Sequence, residues 1–299
     1  MATTRITTGM TQRNVLADLN RVNERLLRTQ QKVASNKEIT RPSDDPFHTS
    51  RALALRTSME GTQQYQRNIE DAQGWQETAE QALGTITEAI HRARELATQG
   101  ATDTTDPVAR EAIAHELDQL IESVKQSANT TYRGRYVFSG TTTDVAPYGT
   151  TDAYAGSATD IERQIGPGVA ITLTVVGSTV LGGGRAAADG KPLHVLRDIA
   201  DHLRANDGAA LRADLGRLET NLDDLLGTRA LNGARQNRLE AAGTRLDAIE
   251  ESTLKQLSNT EDADIAKTLI EFSSQQAAYQ AALKAGANIV QNSLMDFLR

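Results

Sequence analysis

Apolar residues recur at alternating spacings of four and three over most of this chain, and that spacing predicts long amphipathic helices. Val15, Leu19, Val22, Leu26, Thr29 and Val33 form a heptad seam on a helix from about Met10 to Ser35. Leu55, Ser58, Thr62, Tyr65, Ile69, Ala72, Gln76, Ala79, Leu83, Ile86, Ile90, Ala93 and Ala97 hold one unbroken pattern, which predicts a single helix from Pro46 to Gln99. Ile113, Leu117, Leu120, Val124 and Ser127 predict an antiparallel return after a short connection. Leu196, Ile199 and Leu203 form a short seam, and Leu211, Leu215, Leu218, Leu222 and Leu225 a strong one. That pattern turns polar between Gly227 and Arg238 and resumes at Leu239, Ala242, Leu246 and Ile249. The last seam is Ile265, Leu269, Phe272, Gln276, Tyr279, Leu283, Gly286, Val290, Ser293 and Phe297.

The joint Arg41-Pro42-Ser43-Asp44-Asp45-Pro46 separates the first two helices. Pro42 disfavours helical geometry at Arg41, so the first helix must end before it. Ser43 reads as the N-cap of the long helix. Asp44 and Asp45 then fall in its first turn, where the helix dipole favours negative charge, and Pro46 is tolerated there. Adjacent carboxylates also serve acid–base chemistry or cation binding, but no ligand-type residue accompanies these two and capping accounts for both. Farther along, Gly100 stops the long helix, and Asp106-Pro107 starts the next.

Between Thr141 and Gly190 the helical period disappears, and Thr, Gly, Ala and Val dominate. Ile161–Ile165 and Val169–Val176 read as strands joined by Gly166-Pro167-Gly168, and Tyr136–Phe138 as a further short strand. Gly182-Gly183-Gly184 lacks the Lys-Ser/Thr of a phosphate loop and reads as a flexible loop. The seams end at both borders of this stretch. Its deletion is therefore expected to leave a helical protein. The fold class that follows is mainly α: an elongated coiled-coil or helical-bundle rod built from the N- and C-terminal segments, with a small β-rich inserted domain. Residues 1–45 and 258–299 are expected to make a terminal helical assembly domain, 46–140 and 191–257 the rod, and 141–190 the insertion.

Composition narrows the function. Aromatic residues are 4% of 299, thin for a thick core. The net charge of −7 opposes a nucleic-acid role. There is no cysteine, which removes disulfides, thiolate metal sites and cysteine nucleophiles. No apolar run approaches the roughly 18 residues of a membrane span, so no membrane contact is expected. The first residues lack the apolar core of a secretory signal peptide.

A catalytic constellation is missing. His48, His91, His115, His194 and His202 stand in no metal-ligand spacing, and there is no Gly-x-Ser-x-Gly elbow. No cofactor or metal and no enzyme activity are expected. The chain does display amphipathic helices at both ends. Residues 1–41 carry eight basic and three acidic residues, a charge of +5, and residues 258–299 carry three and five, a charge of −2. Val15, Leu19, Val22, Leu26 and Val33 are expected to meet Ile265, Leu269, Phe272, Tyr279, Leu283, Val290 and Phe297 in an assembly seam, ordered only once neighbouring subunits cover it.

The joint Asn36 to Pro46 resembles the N-terminal joint of the flagellins and flagellin-like hook-associated proteins. Gly233-Ala234-Arg235-Gln236-Asn237-Arg238-Leu239-Glu240 resembles their C-terminal motif. Asp262-Ala263-Asp264-Ile265-Ala266 and Ser293-Leu294-Met295-Asp296-Phe297-Leu298 fit the family's terminal helix. Within the family, Arg41–Pro46 and Asn129–Gly140 look most like the hook-associated protein 3 type. The resemblance implies a structural subunit: a ring of copies at the hook–filament junction, between another junction protein and flagellin. It also implies export through the flagellar type III channel with a cytoplasmic chaperone on the C-terminal region, and an extracellular destination. A short flagellin, or a cytoplasmic coiled-coil scaffold, are the rival readings.

Overall fold

The computed structural model describes the backbone of residues 8–102 and 105–297; the side chains of residues 8, 9, 11, 12 and 289–297 fall outside the description. The elements are α1 (Thr8–Ser35), α2 (Pro46–Gly100), α3 (Pro107–Ala128), β1 (Thr131–Tyr132), β2 (Arg135–Tyr136), β3 (Glu162–Gly166), β4 (Val169–Thr172), α4 (Gly177–Val180), α5 (Pro192–Arg204), α6 (Gly208–Glu261) and α7 (Ile265–Phe297). The chain divides into two compact units, residues 1–61 with 249–299, and residues 62–248.

In the larger unit the seam predicted on α2 is the core: Ile69, Ala72, Ala79, Leu83, Ile86, Ile90, Ala93 and Ala97 are all buried. They pack with Leu117 and Val124 of α3, Leu196 and Leu203 of α5, and Leu218 and Leu239 of α6. Alanine at four of these α2 positions lets backbones approach closely. Asp106 caps α3 as expected, accepting from the Ala109 N–H, with Pro107 in the first turn. Asp207 caps α6 through the Ala209 and Ala210 N–H groups.

The polar interval of α6 is not a break. The helix runs through it, and its polar residues meet a polar layer. Asn232, fully buried, donates to the Gln76 carbonyl at 3.2 Å; Arg229 reaches Glu80 at 2.8 Å; Arg235 donates to the Thr174 carbonyl at 3.0 Å. Gln76, equally buried, donates to the Leu173 carbonyl at 2.8 Å. Periodicity counts such positions as polar because it cannot see partners 61 to 156 residues away.

The strand expected at Tyr136–Phe138 starts one residue earlier and is shorter. Thr131–Tyr132 pairs antiparallel with Arg135–Tyr136 across Arg133-Gly134, both at positive φ, the signature of a tight hairpin turn. Val137 and Phe138 leave the ladder and enter the core. β3 and β4 form the expected hairpin around Pro167-Gly168. In the glycine loop, Asp189 accepts from the Gly183 N–H at 2.7 Å, so the loop already holds a carboxylate of its own.

The stretch 141–190 is not a separate body. Tyr148, Ile165, Ile171, Leu173, Val175 and Leu181 belong to the same core as the helices, and all lie in the larger unit. Its backbone is tied in by side chains. The Tyr148 hydroxyl lies 2.9 and 2.7 Å from the carbonyls of Gly177 and Gly182, and the Asn129 amide exchanges two bonds with the Tyr148 backbone. At Gly140, φ is +62° and a Cβ would fall 2.1 Å from the Ser157 carbonyl, so only glycine fits.

Candidate assembly surface

The smaller unit carries both chain ends. α1 packs on α7 as an antiparallel pair. Two observations define the pairing: an antiparallel bridge joins Lys37 to Asp262, and a Cβ on Gly286 would lie 3.1 Å from Val15 and 3.5 Å from Leu19. Val15, Leu19, Val22, Leu26 and Val33 are half-buried and Thr29 is buried.

The α7 side differs from the expected seam. The covered positions are Thr268, Phe272, Gln275, Tyr279, Ala282 and Gly286, again at spacings of four and three. Phe272, Tyr279 and Gly286 belong to both patterns. Ile265, Leu269 and Leu283 lie exposed on the adjoining face, and Ile270 is 72% exposed. Val290 and Phe297 lie outside the described side chains. α7 therefore turns Phe272, Tyr279 and the small and polar residues between them to α1 and leaves an aliphatic side uncovered. Both stripes flank Phe272 and Tyr279, so spacing alone chose the more apolar one. Leu16, Leu27, Phe47 and Leu53 add to the exposed apolar surface of this unit.

The joint ties the unit together around Glu261, a residue the periodicity did not single out. Its side chain is buried, 9% exposed, and receives Lys37 Nζ at 2.7 Å and the Arg56 guanidinium. Burial pushes the Glu261 carboxyl up, but hydrogen bonds from Arg56 and Lys37 hold it below the usual range. The Glu38 N–H donates to the Glu261 carbonyl at 2.8 Å and the Ala263 N–H to the Asn36 carbonyl at 3.0 Å. Asn36 sits at φ +55°, where asparagine is better tolerated than most residues. The only sequence signal for this knot was the run of charges in the two motifs it joins.

The cap of α2 is Asp45, not Ser43. The His48 N–H donates to Asp45 Oδ1 at 2.9 Å, and His48 Nδ1 lies 2.7 Å from Oδ2. These bonds hold the Asp45 carboxyl below the usual range. Asp44 serves the preceding turn, accepting from the Arg41 N–H at 3.1 Å and the Thr40 hydroxyl at 3.2 Å. Pro42 and Pro46 bracket the turn, and a three-residue offset favours Asp45 because its carboxylate reaches the first free N–H groups. Replacing Asp45 with Ala should speed amide exchange at Phe47 and His48 severalfold, while Ser43→Ala should leave it unchanged. Hydrogen exchange with residue resolution checks this.

Among the described residues no cluster of three or more His, Cys, Asp or Glu is placed to hold a metal ion, and no helix is long and apolar enough to cross a membrane. His202 lies 2.6 Å from Asp214, and His194 accepts from the Gly190 N–H at 3.2 Å, so both are engaged structurally.

Residues 6–143 match the bacterial flagellin N-terminal helical region, and residues 212–298 match the bacterial flagellin C-terminal helical region. The chain is 27% identical to a flagellin of Bacillus subtilis (strain 168), over 96% of this chain and 97% of that protein. It is 26% identical to flagellar hook-associated protein 3 of Escherichia coli (strain K12), over 85% of this chain and 87% of that one. The crystal structure of Bacillus cereus FlgL shares the fold, with a TM-score of 0.59 and 23% identity over 69% of this chain and 99% of that one.

Proposed function

We propose that this chain, which belongs to the bacterial flagellin family, is a structural subunit of the flagellum that joins the hook to the flagellin filament. The observation that carries a self-assembling role is the two-sided α7: one stripe covered by α1, the other an exposed aliphatic stripe of Ile265, Leu269 and Leu283. A lone apolar stripe in water is costly, so neighbouring subunits are the natural cover. The match to a hook-associated protein over most of both chains supports the junction position, as do the joint Arg41–Pro46 and the Asn129–Gly140 hairpin. Its partners in this reading are further copies in a ring, another hook-associated junction protein, flagellin, and an export chaperone on the C-terminal region. It works extracellularly after type III export.

A filament subunit is the second reading, favoured by the longer match to the Bacillus subtilis flagellin, 96% of this chain against 85% for the hook-associated protein. Cells lacking the gene separate the two. A junction subunit leaves complete hooks and flagellin shed as monomer into the medium; a filament subunit leaves bare hooks and no such monomer.

Assembly itself has a sharper test. Leu269→Asp with Leu283→Asp changes two exposed side chains and should leave monomer stability within about 0.5 kcal/mol, as surface substitutions do. Incorporation into flagella should be lost. Normal incorporation of the pair, seen by immunogold labelling, removes the exposed stripe of α7 from the interface.

A further inference from the structure

Besides its apolar stripe, the smaller unit carries unmatched positive charge. A polar cleft of about 640 Å³ opens between α1, the joint and α7, and Arg25, Arg28 and Arg41 line it. Among the described residues, none of the three meets a carboxylate. Arg25 donates to the Arg21 carbonyl of its own helix, and Arg41 reaches only Gln31, at 3.5 Å. The acidic groups of the cleft are mostly committed elsewhere: Glu38 to Lys32, Asp44 to the joint turn, Asp45 to His48. Glu271 is the one carboxylate lining the cleft without a described partner. Arg25 and Arg28 stand on one face of α1 with Arg21 and Lys32, at spacings of four, three and four.

The larger unit shows the complement. Residues 62–248 hold 18 basic and 26 acidic residues, a charge of −8. Glu70, Glu77 and Glu88 are exposed on α2 at spacings of seven and eleven, which places them on one face. They span about 27 Å at 1.5 Å per residue. Among the described residues none of them has an ion-pair or side-chain hydrogen-bond partner, whereas other exposed acids of this unit do: Glu116 with Arg92, Glu219 with Arg94, Asp224 with Lys191.

We infer that the arginine cleft of one copy receives the Glu70–Glu77–Glu88 face of α2 from a second copy of this chain. A heterologous contact of this kind, one surface on a different surface, propagates into a ring or a helical array. Exposed pairs contribute little affinity each, so the stripe chooses register and speeds encounter, while apolar surface supplies holding strength. The inference rests on the self-assembly reading above only for the identity of the occupant.

Sedimentation velocity of the full chain tests it. Wild-type protein should associate at about 50 mM salt and weaken at least about tenfold in association constant at about 500 mM, where the Debye length is only a few ångströms. Arg25→Glu with Arg28→Glu should lose that association, and so should Glu70→Arg with Glu77→Arg. An equimolar mixture of the two variants should recover it, each supplying the surface the other lacks. Arg25→Lys with Arg28→Lys should retain most of it, and helical circular dichroism of every variant should match wild type. Absence of low-salt association, association unchanged in either reversed variant, or failure of the mixture to recover would each overturn the inference. Loss with the arginine pair alone would assign the cleft to a different acidic surface of this chain and overturn it equally. If the Leu269→Asp, Leu283→Asp pair stops assembly while the charge reversals do not, the assembly reading stands and this contact falls.

Discussion

Deleting residues 141–190 and bridging the gap with a flexible linker should abolish the cooperative melt of the larger unit. The sequence expectation was the opposite, because helical periodicity ends cleanly on both sides of that stretch. The core reverses it. Tyr148, Ile165, Ile171, Leu173, Val175 and Leu181 pack against α2, α3, α5 and α6 in one cluster. Truncating a single buried Leu or Ile costs about 2–5 kcal/mol, against a total stability of about 5–15 kcal/mol for a domain. Six such losses together, about 12–30 kcal/mol, match or exceed that total. The deletion would also strip Gln76 and Arg235 of the Leu173 and Thr174 carbonyls, leaving buried donors unpaired. Circular dichroism with thermal melting is the measurement. A cooperative transition at the wild-type temperature would show that the stretch lies outside the folding unit. Leu173→Ala, at a residue 1% exposed, provides the graded version: a cooperative melt shifted down by about 4–20 °C, from 2–5 kcal/mol at 2–4 °C per kcal/mol.

The second large effect concerns the charges beneath the same stretch. Lys125 of α3 and Asp152 are nearly buried, 2.8 Å apart, and Arg197 of α5 closes on the other side of Asp152 at 2.7 Å. Arg197 also reaches Asp118 at 3.0 Å and Glu122 at 3.2 Å, so α3, α5 and the middle stretch meet at one network. Burial raises the Asp152 carboxyl, but the hydrogen bonds of Arg197 and Lys125 outweigh it and hold the group below the usual range. Asp152→Asn preserves shape and tolerates its φ of +60° but removes the buried partner of Lys125, leaving it only the half-exposed Glu122 at 3.2 Å. Breaking one side of such a pair costs about 3 kcal/mol or more. For a unit of this size that is a fall of about 6–12 °C in Tm.

The sign of the pH dependence follows from the direction of the shift. A carboxyl whose folded pKa is depressed stabilises the fold above its unfolded value of about 3.9, and that contribution disappears as pH falls through the lower folded value. The stability gap between wild type and Asp152→Asn should therefore hold from neutral pH to about 4 and close below it. Urea melts across that range read the gap directly. A constant gap down to about pH 2 would mean that Asp152 acts through shape and not charge.

Sequence alone determined the elements whose cause is local. The four-three spacing marked α1, α2, α3 and α7, and Asp106-Pro107 and Gly166-Pro167-Gly168 marked a start and a turn, because capping and turn geometry are settled within a few residues. The family resemblance came from the same source, since the joint and the C-terminal motif are contiguous. Tertiary structure decided what depends on distant partners. Which face of α7 meets α1 was one such choice: Gly286, common to both stripes, lies close to Val15 and Leu19, and the Thr268–Gln275–Ala282 side is the one covered while Leu269 and Leu283 stay exposed. The polar interval of α6 became core because Gln76, 156 residues away, receives Asn232. Glu261 became the centre of the joint because Lys37 and Arg56 converge on it, 224 and 205 residues earlier in the chain. Residues 141–190 joined the helices because strands without helical period still bury their alternate side chains wherever a neighbouring surface is apolar. Periodicity reports how a segment is patterned; what it packs against is a property of the folded chain.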